Sequence, residues 1–218
     1  MLHHSFYSVA SHSQEARIIQ LREDLVPTMD ELEIDVVLAG HDHSYARTYQ
    51  MLEDQPLKNQ VIDENGFVVN PKGTVYLTAN SASGSKYYSL KPDHEYYSAV
   101  RQQLRVPTFT NIHVTPKTIQ FDTYRVDTME VVDSYAILKD PSIEVAELEL
   151  ESVHLEANET TLPLNESNFF EDVYLTVSGK SLEGNDYDIL PSQIKYKTDP
   201  EQVLQVSNRG HVTLTDEA

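Results

Sequence analysis

The sequence predicts a layered α/β domain with a mixed sheet, followed by a small all-β sandwich. Three features support this: a helical apolar pattern in residues 13–32, a short apolar run at residues 34–40, and β-rich segments within residues 108–138. A helix, a buried strand and a meander in this order are typical of layered α/β domains. Residues 141–218 instead alternate apolar with polar positions between frequent turn signals, and no convincing helix is predicted there.

The predicted helix has apolar residues at spacings of three and four, which gives one apolar face. These residues are Ile18, Leu21, Leu25, Met29 and Leu32. Ser11 or Ser13 is expected to cap the helix at its N-terminus. Pro27 lies inside the stretch, so the pattern is compatible with one kinked helix or with two helices.

The strands of the first part are predicted from short apolar or β-branched runs. Residues 34–40 and 74–79 are expected to form buried strands, because their runs are almost continuously apolar. Three later segments are separated by turn-like residues and are expected to pair as an antiparallel meander. They comprise residues 108–114, 118–124 and 131–138.

A domain boundary is expected after Asp140. Residues 1–140 have a net charge of −7 and residues 141–218 one of −12, and a turn-like Lys-Asp-Pro-Ser segment lies where the charge changes. Beyond it, strands are expected near residues 148–155 and 173–177. Turn signals are Ser178-Gly179, Gly184-Asn185-Asp186 and Asn208-Arg209-Gly210. This spacing predicts a small β-sandwich.

Composition limits the classes of function. The net charge of the 218 residues is −19, which argues against binding to nucleic acid or to anionic membrane surfaces. The absence of cysteine excludes disulfide bonds, thiol catalysis and thiolate zinc sites. No apolar run approaches about 18 residues, so no membrane-spanning helix is expected. The nine histidines are the main candidates for site chemistry.

The motif Gly40-His41-Asp42-His43 directly follows the first predicted strand. Ligands of open α/β sheets bind beyond the carboxyl ends of strands, and Gly40 is expected to allow a sharp turn there. Neutral imidazole binds Zn, Fe, Mn and Ni. On an irregular turn, His41 and His43 are able to face two adjacent metal ions. For an isolated His-x-His, a solvated pair of loop histidines is the alternative interpretation.

Residues 36–48 (VVLAGHDHSYART) and 2–8 (LHHSFYS) resemble the metal-binding motifs of calcineurin-like metallophosphoesterases, especially the purple acid phosphatase-like branch. The resemblance continues at residues 76–84 and 133–135 and covers roughly residues 1–138. It implies that residues 1–140 are the C-terminal part of an α/β/β/α catalytic domain. Such enzymes hydrolyse phosphate esters with a metal-activated hydroxide, using two ions of Fe, Zn or Mn.

The resemblance also implies roles for five histidines. His3 and His41 resemble ligands of one metal, and His43 resembles a ligand of the other. His12 resembles the histidine that acts as general acid at the leaving group, although an exposed loop histidine is an equal alternative. His4 is expected to orient His3 or to touch phosphate, unless it is simply packed or solvated.

Neighbouring residues are expected to support the motif. Asp42 is expected to be structural, facing away from the metals, with Arg47 holding its carboxylate. The loop at residues 83–86 is rich in Gly and Ser but lacks the spacing of a phosphate-binding loop. It is expected near the mouth of the site, where Lys86, Tyr87 and Tyr88 are able to contact substrate.

The sequence departs from the family in one respect. The motifs DxH, GDxxD or GDxxY, and GNH[DE], which supply the carboxylate and asparagine ligands, do not occur. The chain is therefore expected to be a fragment of a secreted or cell-surface bacterial enzyme, or the product of a truncated gene, that needs the missing N-terminal half of its domain. The alternative is a catalytically silent surface or interaction module that keeps a partial site for one metal.

The second part resembles a bacterial immunoglobulin-like domain over residues 194–213. The resemblance is carried by the Ile-Lys-Tyr-Lys-Thr-Asp-Pro segment at 194–200, by Val203 and Val206, and by a Gly-x-Val-Thr hairpin at 210–213. It implies an incomplete Ig-like sandwich in residues 141–218. An unrelated small β-sandwich is the alternative.

Overall fold

The computed structural model describes residues 1–159, 173–199 and 203–214. The chain divides into two units, Met1–Ala146 and Glu147–Ala218. This division lies a few residues beyond the expected boundary after Asp140. The segment at residues 194–200, which carries part of the Ig-like resemblance, lies partly outside the described residues, because Pro200 is not among them.

Helix α1 spans Ala16–Glu31 and follows a 3-10 turn at Ser11–Gln14. The predicted serine cap is wrong: Glu15 is at the N-cap and makes no side-chain capping bond, while Ser13 is buried within the 3-10 turn. The helix continues through Pro27, so the two-helix alternative is also wrong. Proline removes one helical hydrogen bond, and burial of apolar side chains on the inner face of α1 offsets this loss.

The described strands of the first unit are placed as follows. They are β1 (Val36–Ala39), β2 (Tyr45–Leu52), β3 (Gln55–Leu57), β4 (Val68–Val69), β5 (Thr74–Thr78), β6 (Ser98–Gln102), β7 (Thr108–Val114), β8 (Thr118–Arg125) and β9 (Val131–Leu138). The predicted strands in residues 34–40, 74–79 and 108–138 are confirmed, whereas β2, β3, β4 and β6 were not expected.

Two sheets are built from these strands. The first has the order β1-β5-β2-β3, with β6 also paired to β2. Its β1–β5 pair is parallel and its other pairs are antiparallel, so the predicted mixed sheet is confirmed. The second sheet has the order β4-β9-β8-β7, and β7, β8 and β9 form the predicted antiparallel meander.

Side-chain alternation along β1 shows how the layers pack. Val37 joins a core with Val26 of α1, whereas Val36 and Leu38 pack with Phe121 and Ile137 of the second sheet. The first sheet is therefore covered by α1 on one face and by the second sheet on the other. Because α1 is the only α-helix among residues 1–159, 173–199 and 203–214, the fourth layer of the expected α/β/β/α arrangement stays a prediction.

The described part of the second unit forms one antiparallel five-stranded sheet. Its strands are β10 (Leu150–Ala157), β11 (Val173–Ser181), β12 (Asp186–Tyr187), β13 (Leu204–Val206) and β14 (His211–Leu214), in the order β10-β11-β14-β13 with β12 also on β11. The second sheet of a sandwich is not among the described residues, so the sandwich stays a prediction.

Of the three turns predicted in the second unit, two are confirmed. Gly184 and Gly210 lie in turns with left-handed φ values of 80° and 81°. The turn predicted at Ser178-Gly179 is wrong, because both residues lie within β11. Gly179 instead permits close packing, since a Cβ there would lie 2.8 Å from a methyl group of Leu150. Within the described residues, no helix has the length and apolar character needed to cross a membrane.

Candidate functional site

The first residues of the chain extend the mixed sheet beside β1. The Gly40 N–H donates to the His3 carbonyl oxygen at 3.0 Å, and His4 forms a parallel bridge with Gly40. The two segments run in the same direction, so their carboxyl ends reach the same edge of the sheet. This pairing explains why His3, His4 and His41 meet there.

Four of the five predicted site histidines form one cluster. His41 Nδ1 lies 3.1 Å from His3 Nε2. The ring centroid of His41 is 4.4 Å from that of His4 and 4.8 Å from that of His12. The structure thus brings together two predicted metal ligands, the predicted general acid and the residue expected to orient His3.

The turn after β1 depends on His41 rather than on Gly40. His41 has a left-handed φ of 70°, whereas Gly40 does not lie in the left-handed region. A Cβ on Gly40 would lie 3.9 Å from the His3 carbonyl oxygen, an ordinary contact. The role predicted for Gly40 is therefore wrong. Left-handed non-glycine residues concentrate at functional sites, where the surrounding structure holds them.

The environment of His41 favours a neutral ring. Burial lowers its pKa, the nearby His4 and His12 lower it further, and the Asp42 carboxylate opposes them. A metal-ligating imidazole has to be deprotonated at the nitrogen that binds. The direction of this shift is therefore the one that suits a ligand.

Asp42 is buried beneath the cluster, with 1% of its surface exposed. Its Oδ2 accepts a hydrogen bond from the Ser8 hydroxyl, and its Oδ1 accepts one from His12 Nδ1. Both carboxylate oxygens are therefore engaged inside the protein. Asp42 holds His12, so that Nε2 is the ring nitrogen of His12 left for chemistry. The structural role predicted for Asp42 agrees with this placement.

Arg47 does not hold Asp42, so that prediction is wrong. Its Nε and Nη2 donate to Asp133 of β9 at 2.7 and 3.0 Å. Arg47 shares with Tyr45 the face of β2 that meets the second sheet, where Tyr45 also donates to Asp133. Because side chains two residues apart on a strand share a face, Arg47 is directed toward the second sheet.

His43 contacts the segment at residues 86–88. Its Nδ1 is 3.0 Å from the Lys86 carbonyl oxygen. The ring of Tyr88 has its centroid 5.2 Å from those of both His43 and His12, so it contacts both histidines. Among the described residues, no ring contact or hydrogen bond joins His43 to His41. The convergence of all three predicted metal ligands therefore stays a prediction.

Two residues that support the site were not predicted from the sequence. Ser8 contacts Asp42, and the side chain of Gln103 contacts the carbonyl oxygens of His43 and Tyr88. Ser8 lies in an irregular segment, and Gln103 follows β6, which was not predicted. Ser8 belongs to the resembling segment at residues 2–8, but nothing there marks it as a partner of Asp42, and no periodicity or motif marks Gln103.

The residues present fit one divalent cation. Two imidazole nitrogens that bind one zinc tetrahedrally, at about 2.0–2.1 Å each, are about 3.3 Å apart, close to the His3–His41 separation. Among described residues, His12, His41 and Asp42 also have possible ligand atoms within 4.8 Å of one another, and Asp42 is the one carboxylate of this set. Two adjacent cations would need further anionic ligands to offset their repulsion. The cluster therefore does not by itself fit a metal pair.

Comparison with known proteins supports the fold. The structure is similar to the purple acid phosphatase PPD1 from seeds of yellow lupin (Lupinus luteus), with a TM-score of 0.54 and 20% sequence identity. The match covers 65% of this chain and 25% of the lupin chain, so it spans about a quarter of that protein's length. No protein-family model matches the sequence, and no curated protein is significantly similar to it. At this identity the similarity concerns the fold alone.

Proposed function

We propose that this chain carries the histidine part of a metal-dependent phosphoesterase site, in a protein that hydrolyses phosphate esters with a metal-activated hydroxide. The observation that carries the proposal is the contact between His3 and His41 at the carboxyl edge of a mixed sheet. The similarity of the fold to a purple acid phosphatase supports it.

Each histidine has a distinct role in the proposal. His3 and His41 hold one cation, and His43 presents Nε2 to a second, because its Nδ1 faces the Lys86 carbonyl oxygen. Bound Fe, Zn or Mn would polarise the phosphate and lower the pKa of a bound water. His12 gives a proton to the leaving group from Nε2, since Asp42 engages its Nδ1. His4 packs on His41 and fixes its ring.

The metal ligands that the histidine cluster offers favour a second candidate function. The cluster offers imidazoles and one carboxylate whose oxygens already accept hydrogen bonds, and His43 contacts Tyr88 and the Lys86 carbonyl oxygen. We therefore also consider that the chain tested alone is a catalytically silent module that binds one cation. The dependence on an N-terminal half, the secreted bacterial setting and the Ig-like character of residues 141–218 are proposals from the sequence resemblance.

Calorimetric titration of the 218-residue chain with Zn²⁺ or Mn²⁺ tests the site. We expect one cation per chain and at least about a tenfold loss of affinity in His41→Ala, since one ligand is removed. His113→Ala is the matched control, because His113 is exposed on β7 of the other sheet. Equal affinities of the wild type and His41→Ala would refute the proposed site.

A further inference from the structure

We propose that Gln103 is a positioning residue, which clamps His43 and Tyr88 together at the candidate site. The significance of His43 as a ligand rests on the proposed function. The clamp itself rests on hydrogen bonds that need no metal. The Gln103 side chain bonds the backbone carbonyl of His43, so its effect on the imidazole is transmitted through the backbone.

Strand register places Gln103 beside the histidine motif. Strand β6 pairs antiparallel with β2, and Gln102 lies opposite Tyr45. In an antiparallel pair, the residue after Gln102 lies beside the residues that precede Tyr45. Since His43 is two residues before Tyr45, Gln103 at the end of β6 lies beside the backbone of the Gly40–His43 motif.

The side-chain amide of Gln103 is engaged at both ends. Its Nε2 donates to the carbonyl oxygens of His43 and Tyr88 at 2.5 and 2.7 Å, and its Oε1 accepts from the Arg105 N–H at 3.0 Å. The Tyr88 N–H also donates to the His43 carbonyl oxygen, at 3.1 Å. An amide nitrogen has two hydrogens to serve two carbonyls, which a carboxylate is unable to do.

The clamp determines how the His43 ring is held. His43 Nδ1 lies 3.0 Å from the Lys86 carbonyl oxygen, two residues before Tyr88. A carbonyl accepts and never donates, so the Nδ1 atom carries the hydrogen, and in the neutral ring Nε2 then keeps its lone pair. Loss of the Gln103 bonds would release the segment at residues 86–88 and with it the acceptor that fixes this tautomer.

The hydrogen bonds of Gln103 also hold Tyr88, whose ring contacts two histidines of the site. The Tyr88 ring contacts both His12 and His43, and the Lys86 ammonium lies 4.6 Å from the ring centroid. Movement of Tyr88 would therefore change the surroundings of both histidines together. A side chain that only stabilised β6 would not have this joint effect.

The neighbouring residue offers a matched control. The Gln102 Nε2 donates to the Val132 carbonyl oxygen of β9 at 3.1 Å. This is also an amide-to-carbonyl bond at the end of β6, but it is directed to the second sheet. Substitution of Gln102 therefore removes an amide-to-carbonyl bond at the end of β6 and leaves the bonds to His43 and Tyr88 in place.

The experiment compares Gln103→Glu, Gln103→Met and Gln102→Glu in the 218-residue chain without added metal. Hydrogen exchange reports on the Tyr88 amide, and imidazole ¹⁵N shifts report on the His43 tautomer. In both Gln103 variants we expect Tyr88 exchange to rise about tenfold, because the bonds that hold its segment are lost. We also expect His43 to change from the Nδ1–H form to a mixture of tautomers. Gln102→Glu should change neither.

The outcomes separate the clamp from the proposed function. Unchanged exchange and tautomer in both Gln103 variants, or equal changes in Gln102→Glu, would overturn the clamp. If Gln103→Glu does not fold, Gln103→Met alone tests the clamp, since methionine keeps the side-chain length and removes the hydrogen-bond donors. A wild-type chain that binds neither Zn²⁺ nor Mn²⁺ would count against the proposed function and leave the metal-free comparison intact.

Discussion

His41 combines an unusual backbone conformation with a central place in the histidine cluster. Its left-handed φ is maintained by two bonds that flank it: Gly40 N–H to the His3 carbonyl oxygen and Asp42 N–H to the Gly40 carbonyl oxygen. A non-glycine residue in this region costs on the order of 1–3 kcal/mol. The strain is consistent with a turn shaped to present the imidazole at the end of β1.

Two glycine substitutions test the description of this turn. Gly40→Ala should change the free energy of unfolding by less than about 1 kcal/mol, because neither space nor φ opposes a Cβ. Gly73→Ala should cost at least about 2 kcal/mol, since φ is 76° and the Cβ would lie 2.3 Å from the Met51 carbonyl oxygen. Denaturant unfolding measures both. Equal losses would contradict the assignment of the left-handed position to His41.

Asp140 is expected to titrate at unusually low pH. Hydrogen bonds from Lys117 and then from Ser142 lower its pKa from 3.8 to about 2. Because the folded pKa is below the unfolded one, its contribution to stability is present above about pH 4 and is lost as pH falls through about 2. Side-chain carboxyl NMR shifts report the midpoint.

Lys117→Met should raise the pKa of Asp140. The control is Lys139→Met, since Lys139 pairs with Asp35 instead. A midpoint that is the same in the wild type and in Lys117→Met would show that the Lys117 bond does not cause the shift.

Strand β2 joins the two sheets of the first unit through a buried ion pair. Arg47 donates two hydrogen bonds to Asp133 of β9, and the Tyr45 hydroxyl donates a third, at 2.8 Å. The guanidinium also lies 4.3 Å from the ring centroid of Tyr135. The Arg47 and Asp133 side chains are only 11% and 8% exposed, so solvent screens the pair little.

Removal of one partner should be strongly destabilising. Asp133→Ala should lower the free energy of unfolding by about 3–5 kcal/mol, because it leaves the Arg47 charge buried without compensation. Asp127→Ala is the control, since Asp127 pairs with Arg125 at the surface, and no measurable loss is expected there. Chemical unfolding measures both variants. A small loss in Asp133→Ala would contradict burial of this pair.

At the scale of the whole molecule, the residues of the candidate site all lie in the first unit. A chain that ends at Ala146 should therefore bind Zn²⁺ or Mn²⁺ with an affinity within about twofold of the 218-residue chain. Calorimetry on both chains measures this. A large loss of affinity in a truncated chain that remains folded would show that residues 147–218 contribute to the site.

The 218-residue chain alone should hydrolyse a phosphomonoester no faster than metal in buffer. The imidazoles of the cluster supply no negative charge, and Asp42 is the one carboxylate in the set of His12, His41 and Asp42, so two adjacent cations lack the anionic ligands that offset their repulsion. An assay with added Zn, Mn or Fe compares the wild type with His41→Ala. Metal-dependent turnover that disappears in His41→Ala would refute the prediction that this chain alone is catalytically inactive.

Most local elements could be predicted because their signals are local. The helical spacing in α1 and the apolar runs of β1 and β5 follow from periodicity within a few residues. Strand β2 was missed because it buries polar side chains, such as Thr48 and Gln50. Thr48 Oγ1 accepts from the Tyr76 N–H and Gln50 Nε2 donates to the Tyr135 hydroxyl, and both partners are distant in sequence.

Strand ends and a motif resemblance are readable along the chain, and they were enough to predict the mixed α/β character of the first unit and to point to His3, His12 and His41. Which side chains meet depends on how the strands pair. Asp42 holds His12, whereas Arg47 faces the second sheet. Such contacts depend on strand register and on the face that each residue presents. Both are set by long-range pairing, which spacing along one chain does not encode.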